Sequence, residues 1–194
     1  MRAAVFLDRD GTLSEEVGYV NHIDRFHVFP WSPAAIRKLN GAGIPAVLIT
    51  NQSGVARGYF PEILVEETHA KLQAELARFD ARLDAIYYCP HHPHGKVAAY
   101  RRVCKCRKPA PGMLYCAARD LGLDLSASFV VSDRYQDLSM GFQIGARGVL
   151  LLSGYGKGEY LYHKETWPRQ PDYVAGNLLE AVEWILVQMG SHAC

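Results

Sequence analysis

One stretch decides the fold class: residues 3–12, which read AAVFLDRDGT. Its run of consecutive apolar residues is typical of a central parallel strand that is buried on both faces. Two carboxylates, Asp8 and Asp10, follow at the carboxyl end of this strand, and Gly11 allows a sharp turn after them. Because ligands of open α/β sheets bind at the carboxyl ends of the strands, the two acids predict a reaction or metal site there.

Strand and helix patterns alternate along the rest of the chain. Further strands are predicted over residues 44–50, 84–89, 128–132 and 147–152, with a short one near 172–175. Helices are predicted over residues 34–40, 61–80, 111–122, 136–145 and 177–189, the first with Ser32 as its N-cap. The segment 153–171, rich in glycine and tyrosine, is expected to be a mobile loop that opens no helix. The alternation predicts a doubly wound, Rossmann-like parallel sheet.

Composition limits the class of protein. The 194 residues fit one domain, expected over residues 1–194, and 49% of them are hydrophobic, which argues against disorder. A net charge of +1 gives no general electrostatic reason to expect nucleic acid or a membrane as partner. No apolar run approaches the length of a membrane span and no signal-peptide pattern precedes the first strand, so we expect a cytoplasmic protein. We also expect a monomer.

Polar side chains stand at four predicted strand ends. Besides Asp8 and Asp10, they are Thr50, Lys108 after a long loop, and Asp133 with Asp137. Such a set suits phosphoryl transfer, which needs a nucleophile, a proton donor and positive charge around the phosphoryl oxygens. A carboxylate can act as the nucleophile and form an aspartyl phosphate. Mg²⁺ favours carboxylates together with water and substrate phosphate as ligands. The alternative is a solvated turn at a strand end.

These motifs resemble the haloacid dehalogenase superfamily of phosphatases over residues 5 to about 152. The first motif, D-x-D-G-T, is complete, whereas Ser132 replaces the usual glycine of the fourth motif. The resemblance implies that Asp8 is the nucleophile and that Asp10 is the general acid and base. It also implies the remaining roles: Thr50 and Lys108 hold the phosphoryl group, Mg²⁺ is bound by Asp8, the Asp10 backbone carbonyl and Asp133, and Asp137 supports the water around the metal.

A second cluster lies in the segment 89–106. Its C-x-H pair and C-x-C pair offer three thiolates and one imidazole, a set that suits a closed, tetrahedral, structural Zn²⁺ site. The predicted ligands are Cys89, His91, Cys104 and Cys106. On composition alone, His92 or His94 could replace His91. A flexible histidine-rich loop and a Cys89–Cys104 disulfide are the other interpretations.

The position of this cluster predicts a link to the reaction site. Cys106 lies two residues before Lys108, so we expect Zn²⁺ to order the segment that carries the lysine. Of the remaining cysteines, Cys116 falls within a predicted helix and is expected to pack in the core. Cys194 is terminal and is expected to have no role.

The loop pattern CPHHPHG followed by CKCRKP resembles the D,D-heptose 1,7-bisphosphate 7-phosphatases. The resemblance implies hydrolysis of the 7-phosphate of D-glycero-D-manno-heptose 1,7-bisphosphate, in ADP-heptose and lipopolysaccharide precursor synthesis. Histidinol-phosphate phosphatases carry the same kind of loop and are the alternative, although the long segment 93–103 favours the heptose family. Another small sugar-phosphate phosphatase is also an alternative. Arg134, where the heptose family usually has lysine, is a departure.

The gaps between the motifs leave no room for a large cap domain, so a capless site roofed by loops is expected. The resemblance implies that a small phosphorylated sugar contacts the following residues: Arg9, Glu16, Val17, Gly18, Tyr19, Asn51, Gln52, Ser53, Arg107 and Arg134. Arg107 is the candidate for the second phosphate or an adjacent hydroxyl. A catalytically idle zinc-binding module is the alternative from another functional class, and the complete set of motif acids and lysine argues against it.

Overall fold

The computed structural model of the protein describes residues 1–190. Its strands are β1 (Val5–Leu7), β2 (Ala46–Asn51), β3 (Ala85–Cys89), β4 (Phe129–Ser132), β5 (Arg147–Leu151) and β6 (Tyr173–Ala175). They form one sheet in the order β3-β2-β1-β4-β5-β6, and every neighbouring pair runs parallel. This order confirms the predicted doubly wound sheet. Cys194 lies outside the described residues.

Helices cover both faces of this sheet. They are α1 (Ser32–Gly41), α2 (Gly54–Arg57), α3 (Glu62–Ala77), α4 (Gly112–Leu121), α5 (Tyr135–Gln143), α6 (Gly156–His163) and α7 (Leu178–Gly190). The five predicted helices are α1, α3, α4, α5 and α7, and each predicted end lies within three residues of the observed one. The short α2 and the whole of α6 were not predicted. None of the helices in residues 1–190 is long and apolar enough to cross a membrane.

Strand β1 lies at the centre of the sheet and is completely buried. Val5 and Leu7 pack into the core shared with α1, α3 and α7, whereas Phe6 packs into the opposite core, shared with α4 and α5. Val5 pairs with Ala46 of β2 and with Phe129 of β4, so the carboxyl ends of the three strands meet at one edge. The central position of β1 therefore brings the side chains that follow these strands together.

The prediction that Ser32 caps α1 is wrong. Trp31 occupies the N-cap position and makes no side-chain capping hydrogen bond, and Ser32 already lies in the helix. The Ser32 hydroxyl is fully buried and donates to the backbone carbonyl of Leu13 at 2.9 Å. The serine therefore ties the start of α1 to the segment that follows β1 instead of capping the helix.

The prediction of a loop without a helix over residues 153–171 is also wrong, because Gly156 begins α6. A Cβ on Gly156 would lie 1.7 Å from the carbonyl oxygen of Leu151, so this glycine permits close packing of the helix start on β5. Ser153 donates to the carbonyl oxygen of Gly11 at 2.6 Å and ties the segment to the loop after β1. The sequence pattern alone does not distinguish a glycine that permits close packing from one that breaks a helix.

No separate cap is built within residues 1–190. The segment between β1 and α1 holds one short 3₁₀ turn, Ile23–Arg25, and the segment between β2 and α4 holds α2, α3, β3 and a second 3₁₀ turn, Ala98–Tyr100. The carboxyl edge of the sheet is therefore open to small molecules, as predicted.

Candidate active site

A polar pocket of about 270 Å³ opens at the carboxyl edge of β1, β2 and β4. Most of the predicted site residues line it. The lining residues are Asp8, Asp10, Glu16, Gly18, Tyr19, Thr50, Asn51, Ser53, Lys108, Arg134, Gln136 and Asp137. The fold therefore brings the first three sequence motifs and part of the fourth to one pocket, which lies where doubly wound sheets bind their ligands.

Lys108 joins two of the acids at the floor of this pocket. Its Nζ lies 2.9 Å from Oδ1 of Asp8 and 2.5 Å from Oδ2 of Asp137, and it also donates to the carbonyl oxygen of Ile49. Burial acts to lower the pKa of Lys108, but the charges of Asp137 and Asp8 outweigh burial and hold that pKa above its usual value. The lysine is therefore charged, and it places a positive charge beside the Asp8 carboxylate.

Two further side chains fix the lysine and its partner. The Asn51 amide donates to the Lys108 carbonyl oxygen at 3.1 Å, and its oxygen accepts from the Lys108 backbone N–H at 3.0 Å. Ser132 donates to Oδ2 of Asp137 at 3.0 Å and accepts from the backbone N–H of Arg134. The hydroxyl that departs from the usual fourth motif therefore helps to hold Asp137 against Lys108.

Asp10 is held from two sides. The Arg9 guanidinium donates to both of its carboxylate oxygens, through Nε at 3.1 Å and Nη2 at 3.0 Å. The Gln52 amide donates to Oδ2 of Asp10 at 3.1 Å and to Oγ1 of Thr50 at 3.0 Å. Thr50 is thus connected to the Asp10 carboxylate through one side chain of the loop after β2.

Asp133 lies against the lining residues, fully buried, and has the surroundings of a cation ligand. Its Oδ2 accepts from the Tyr155 backbone N–H at 2.8 Å, whereas its Oδ1 is buried without a hydrogen-bond partner among residues 1–190. A Cβ on Gly11 or Gly154 would lie 2.2 Å from Oδ2, so two glycines make room for this carboxyl. Burial and the charge of Asp8 raise the pKa of Asp133 to about 8. A nearby cation would reverse this effect.

The donor chemistry fits Mg²⁺. The carboxylates of Asp8 and Asp133 and the backbone carbonyl of Asp10 supply only hard oxygen donors, the type that Mg²⁺ prefers. The orphaned Oδ1 of Asp133 is the observation that favours a bound cation, because a buried carboxylate oxygen without a partner is costly. Asp137 accepts from Lys108 Nζ and from the Ser132 hydroxyl, so it lies beside the site as a partner of the lysine.

Four of the predicted substrate contacts, Arg9, Val17, Gln52 and Arg107, do not line the pocket. The Arg9 side chain is 1% exposed and is paired with the Asp10 carboxylate. The Val17 side chain packs against the core. The Arg107 guanidinium donates to the carbonyl oxygen of His91 at 3.3 Å and lies outside the lining. Gln52 is 5% exposed, and its amide donates hydrogen bonds to the side chains of Asp10 and Thr50.

Other contacts were not predicted. Gln136, between the two acids of the fourth motif, lines the pocket. The Arg134 guanidinium stacks on the Tyr155 ring at 3.6 Å from the ring centroid and pairs with Glu159 of α6 at 3.4 Å. Gln136 could have been found from its place inside the motif. The partners of Arg134 could not, because no sequence signal placed the start of α6 beside the fourth motif.

The predicted zinc ligands converge. Their donor atoms all lie within 4.8 Å of one another. The three sulfur atoms of Cys89, Cys104 and Cys106 are 3.0–3.5 Å apart, and Nδ1 of His91 lies 3.5 Å from Sγ of Cys106. Tetrahedral ligands of Zn²⁺ at about 2.3 Å from the ion lie about 3.8 Å apart, so the observed separations are somewhat shorter than those around a bound ion. The convergence of four donor atoms and the soft donor set are the features that fit Zn²⁺.

The structure shows which histidine lies beside the three cysteines and whether Cys89 and Cys104 form a disulfide. His92 faces Arg57, with Nε2 of the histidine 2.9 Å from Nη2 of the arginine. His94 is exposed, and neither histidine belongs to the cluster. Cys89 and Cys104 are free thiols, with no disulfide between them. His91 is therefore the imidazole that meets the three sulfurs, while Cys116 lies apart on α4 and is half-buried, not fully in the core as predicted.

Known proteins resemble the chain in sequence and in fold. A model of the HAD-hydrolase-like family matches residues 105–181. The D-glycero-beta-D-manno-heptose-1,7-bisphosphate 7-phosphatase of Escherichia coli K12 is 47% identical over 153 residues, which are 78% of this chain and 80% of the relative. The corresponding phosphatase of Thermosynechococcus vestitus is 42% identical over 97% of both chains.

A crystal structure is similar over nearly the same length. The D,D-heptose 1,7-bisphosphate phosphatase from B. bronchiseptica, complexed with magnesium and phosphate, matches with a TM-score of 0.83 and 32% identity, covering 97% of this chain and 99% of that one. The chain therefore belongs to the heptose-1,7-bisphosphate 7-phosphatase family of haloacid dehalogenase-like hydrolases, and it is a phosphoric monoester hydrolase.

Proposed function

We propose that this phosphatase removes the 7-phosphate of D-glycero-D-manno-heptose 1,7-bisphosphate through an aspartyl phosphate on Asp8. The observation that best supports phosphoryl transfer to Asp8 is the Asp8–Lys108 ion pair. Oδ1 of Asp8 and Nζ of Lys108 lie 2.9 Å apart in a pocket at the carboxyl edge of the sheet. The names of the relatives support the substrate. The product would supply ADP-heptose and lipopolysaccharide precursor synthesis.

The proposed reaction has two displacements at phosphorus. A carboxylate oxygen of Asp8 attacks, the bond from phosphorus to the sugar oxygen breaks, and Asp10 donates a proton to that oxygen. A water molecule then attacks the phosphorus atom of the phosphorylated Asp8 and gives a proton to Asp10. The bond from phosphorus to the Asp8 oxygen breaks. Inorganic phosphate leaves and both acids are restored. Lys108 and Thr50 hold the phosphoryl oxygens throughout.

Two metals complete the proposal. Mg²⁺, when held by Asp8, Asp133 and the Asp10 carbonyl, supplies the positive charge that offsets repulsion between the phosphate and the carboxylates. Zn²⁺, when held by Cys89, His91, Cys104 and Cys106, is structural, since this set leaves no open position for substrate.

The phosphate of the bisphosphate that is not hydrolysed needs a positively charged side chain to bind it. Arg134 lies in the pocket wall, with Tyr155 and Glu159 fixing its guanidinium. The pocket rim offers further polar contacts from Glu16, Gly18 and Tyr19 and, after β2, from Asn51 and Ser53. We infer that the non-reacting phosphate lies near Arg134. We also propose one phosphatase domain over residues 1–194, because a single six-stranded sheet carries the pocket at its edge. We propose further that it acts as a cytoplasmic monomer.

The substrate is tested by comparing kcat/KM for the heptose bisphosphate and for histidinol phosphate at saturating Mg²⁺. Histidinol phosphate carries one phosphate, so it lacks the contact between a second phosphate and Arg134. Such a charged contact contributes about 3 kcal/mol, which corresponds to about 100-fold in kcat/KM. We therefore expect kcat/KM to favour the heptose bisphosphate by at least about 100-fold. Equal values, or a preference for histidinol phosphate, would favour the alternative family.

A further inference from the structure

Arg9 is a buried cation whose side chain does not line the pocket. It is the largest side chain among those that are fully buried, and its exposed fraction is 1%. An unpaired guanidinium in such a place would be costly, so its partners decide its role. Its Nε and Nη2 donate to the two oxygens of Asp10 at 3.1 and 3.0 Å, which is the planar fork that only arginine can offer to a carboxylate.

Residues from two other segments hold the guanidinium in this orientation. The ring of Phe26 lies 5.4 Å from Cζ of Arg9, within the range of a cation–π contact. On another side, Nε2 of His69, a buried residue of α3, lies 3.5 Å from Nη1 of Arg9. Burial and the charge of Arg9 lower the pKa of His69 to about 3, so the imidazole is neutral and can face a cation. Arg9 is therefore fixed independently of Asp10.

The contacts of Asp10 differ between its two oxygens. Oδ2 accepts from Arg9 and from Gln52, whereas Arg9 is the one donor to Oδ1 among residues 1–190. A carboxylate oxygen has two acceptor positions, so Oδ2 is filled and Oδ1 keeps one position open. The open position belongs to a carboxyl that lines the pocket.

We propose that Arg9 is a positioning residue, whose guanidinium holds the Asp10 carboxyl in one orientation and leaves Oδ1 as the atom that exchanges a proton with the substrate oxygen. The inference rests on the proposed role of Asp10 as general acid and base. It assigns to Arg9 a role through Asp10, in place of direct contact with substrate.

A series of phosphate monoesters with different leaving groups tests this role. For such esters kcat/KM covers only the steps up to phosphoryl transfer to Asp8. An alkyl leaving group needs the proton of Asp10, whereas p-nitrophenolate leaves without much help. We expect Arg9→Lys, which keeps the charge but loses the fork, to lower kcat/KM by about 30–100-fold for alkyl phosphates and by less than about 5-fold for p-nitrophenyl phosphate.

Two matched substitutions of His69 test the same role if the Arg9→Lys protein does not fold. His69→Leu removes the acceptor beside Nη1, and His69→Gln retains one. We expect His69→Leu to reduce the alkyl reactions by about 5–10-fold more than the p-nitrophenyl reaction, and His69→Gln to differ from the parent by less than about 3-fold. Equal losses for all leaving groups in Arg9→Lys and His69→Leu would overturn the proposal, because a purely structural role predicts that pattern.

Asp10→Asn separates this inference from the proposed function. In that variant we expect the same selective loss with alkyl phosphates, and a larger one. If Asp10→Asn lowers all the reactions equally, the acid role of Asp10 fails and the inference fails with it. If Asp10→Asn is selective and Arg9→Lys is not, only the positioning role is contradicted. The series uses no heptose, so an error in the assigned substrate does not affect it.

Discussion

Asp8→Asn is expected to lower the kcat for phosphate release by at least about 10⁴-fold, the size of loss typical when a covalent nucleophile is removed. The asparagine amide nearly matches the carboxylate in shape and can still accept from the Arg9 backbone N–H and from Lys108, which contact Oδ1 at 2.7 and 2.9 Å. The pocket should therefore keep its structure while it loses the attacking oxygen. Phosphate release at saturating Mg²⁺, with the melting temperature recorded for both proteins, measures this effect.

Asp120→Asn is the matched control for this substitution. Asp120 is on α4, at the surface, and contacts Tyr87 and Arg119 far from the pocket lining. We expect this control to change kcat by less than about 2-fold, as for most surface substitutions. An Asp8→Asn protein as active as the parent would remove Asp8 from the mechanism. An inactive parent that still binds phosphate would favour the idle zinc-binding module.

Cys106→Ser is expected to have the largest effect on stability. Cys106 lies closest to the other ligands of the cluster, with its sulfur 3.0 Å from that of Cys104 and 3.3 Å from that of Cys89. Losing one ligand should release Zn²⁺, and we expect a cost of about 3 kcal/mol or a melting temperature lower by about 10 °C. Because Lys108 lies two residues further along, we expect kcat to fall by about 10-fold as well.

The control for this prediction is Cys116→Ser, which changes a cysteine outside the cluster. We expect it to retain one Zn²⁺ per chain, measured by elemental analysis, and to lower the melting temperature by less than about 3 °C. Chelator-treated protein that has lost its zinc should behave like Cys106→Ser. Zinc-free protein with an unchanged melting temperature and full Mg²⁺-dependent activity would contradict a structural role for the metal.

The sheet and the motif acids could be predicted because they follow local rules. An apolar run bounded by a turn marks a buried strand, and parallel strands bring their carboxyl ends to one edge. Asp8, Thr50 and Lys108 therefore meet in one pocket, as the motif spacing predicted. The convergence of Cys89, His91, Cys104 and Cys106 was predictable from their spacing, since a C-x-H pair and a C-x-C pair lie within one short segment of the chain.

The remaining contacts depend on packing between distant segments. Nothing in the sequence indicates that Arg9 faces inward toward Phe26 and His69, because a charged residue in a loop is usually exposed. Gly156 reads as a turn residue, yet it begins a helix where β5 leaves no space for a side chain. Ser132 departs from the motif, and only the structure relates its hydroxyl to Asp137. These features arise from tertiary contacts that no local pattern records.

The central claim is that this enzyme removes the 7-phosphate of the heptose bisphosphate. ³¹P NMR of D-glycero-D-manno-heptose 1,7-bisphosphate incubated with the enzyme and Mg²⁺ tests it most directly. The account predicts that the 7-phosphate resonance disappears while the 1-phosphate resonance persists, with one inorganic phosphate released per sugar. Loss of the 1-phosphate resonance, or an unchanged spectrum under conditions in which histidinol phosphate is hydrolysed, would contradict it.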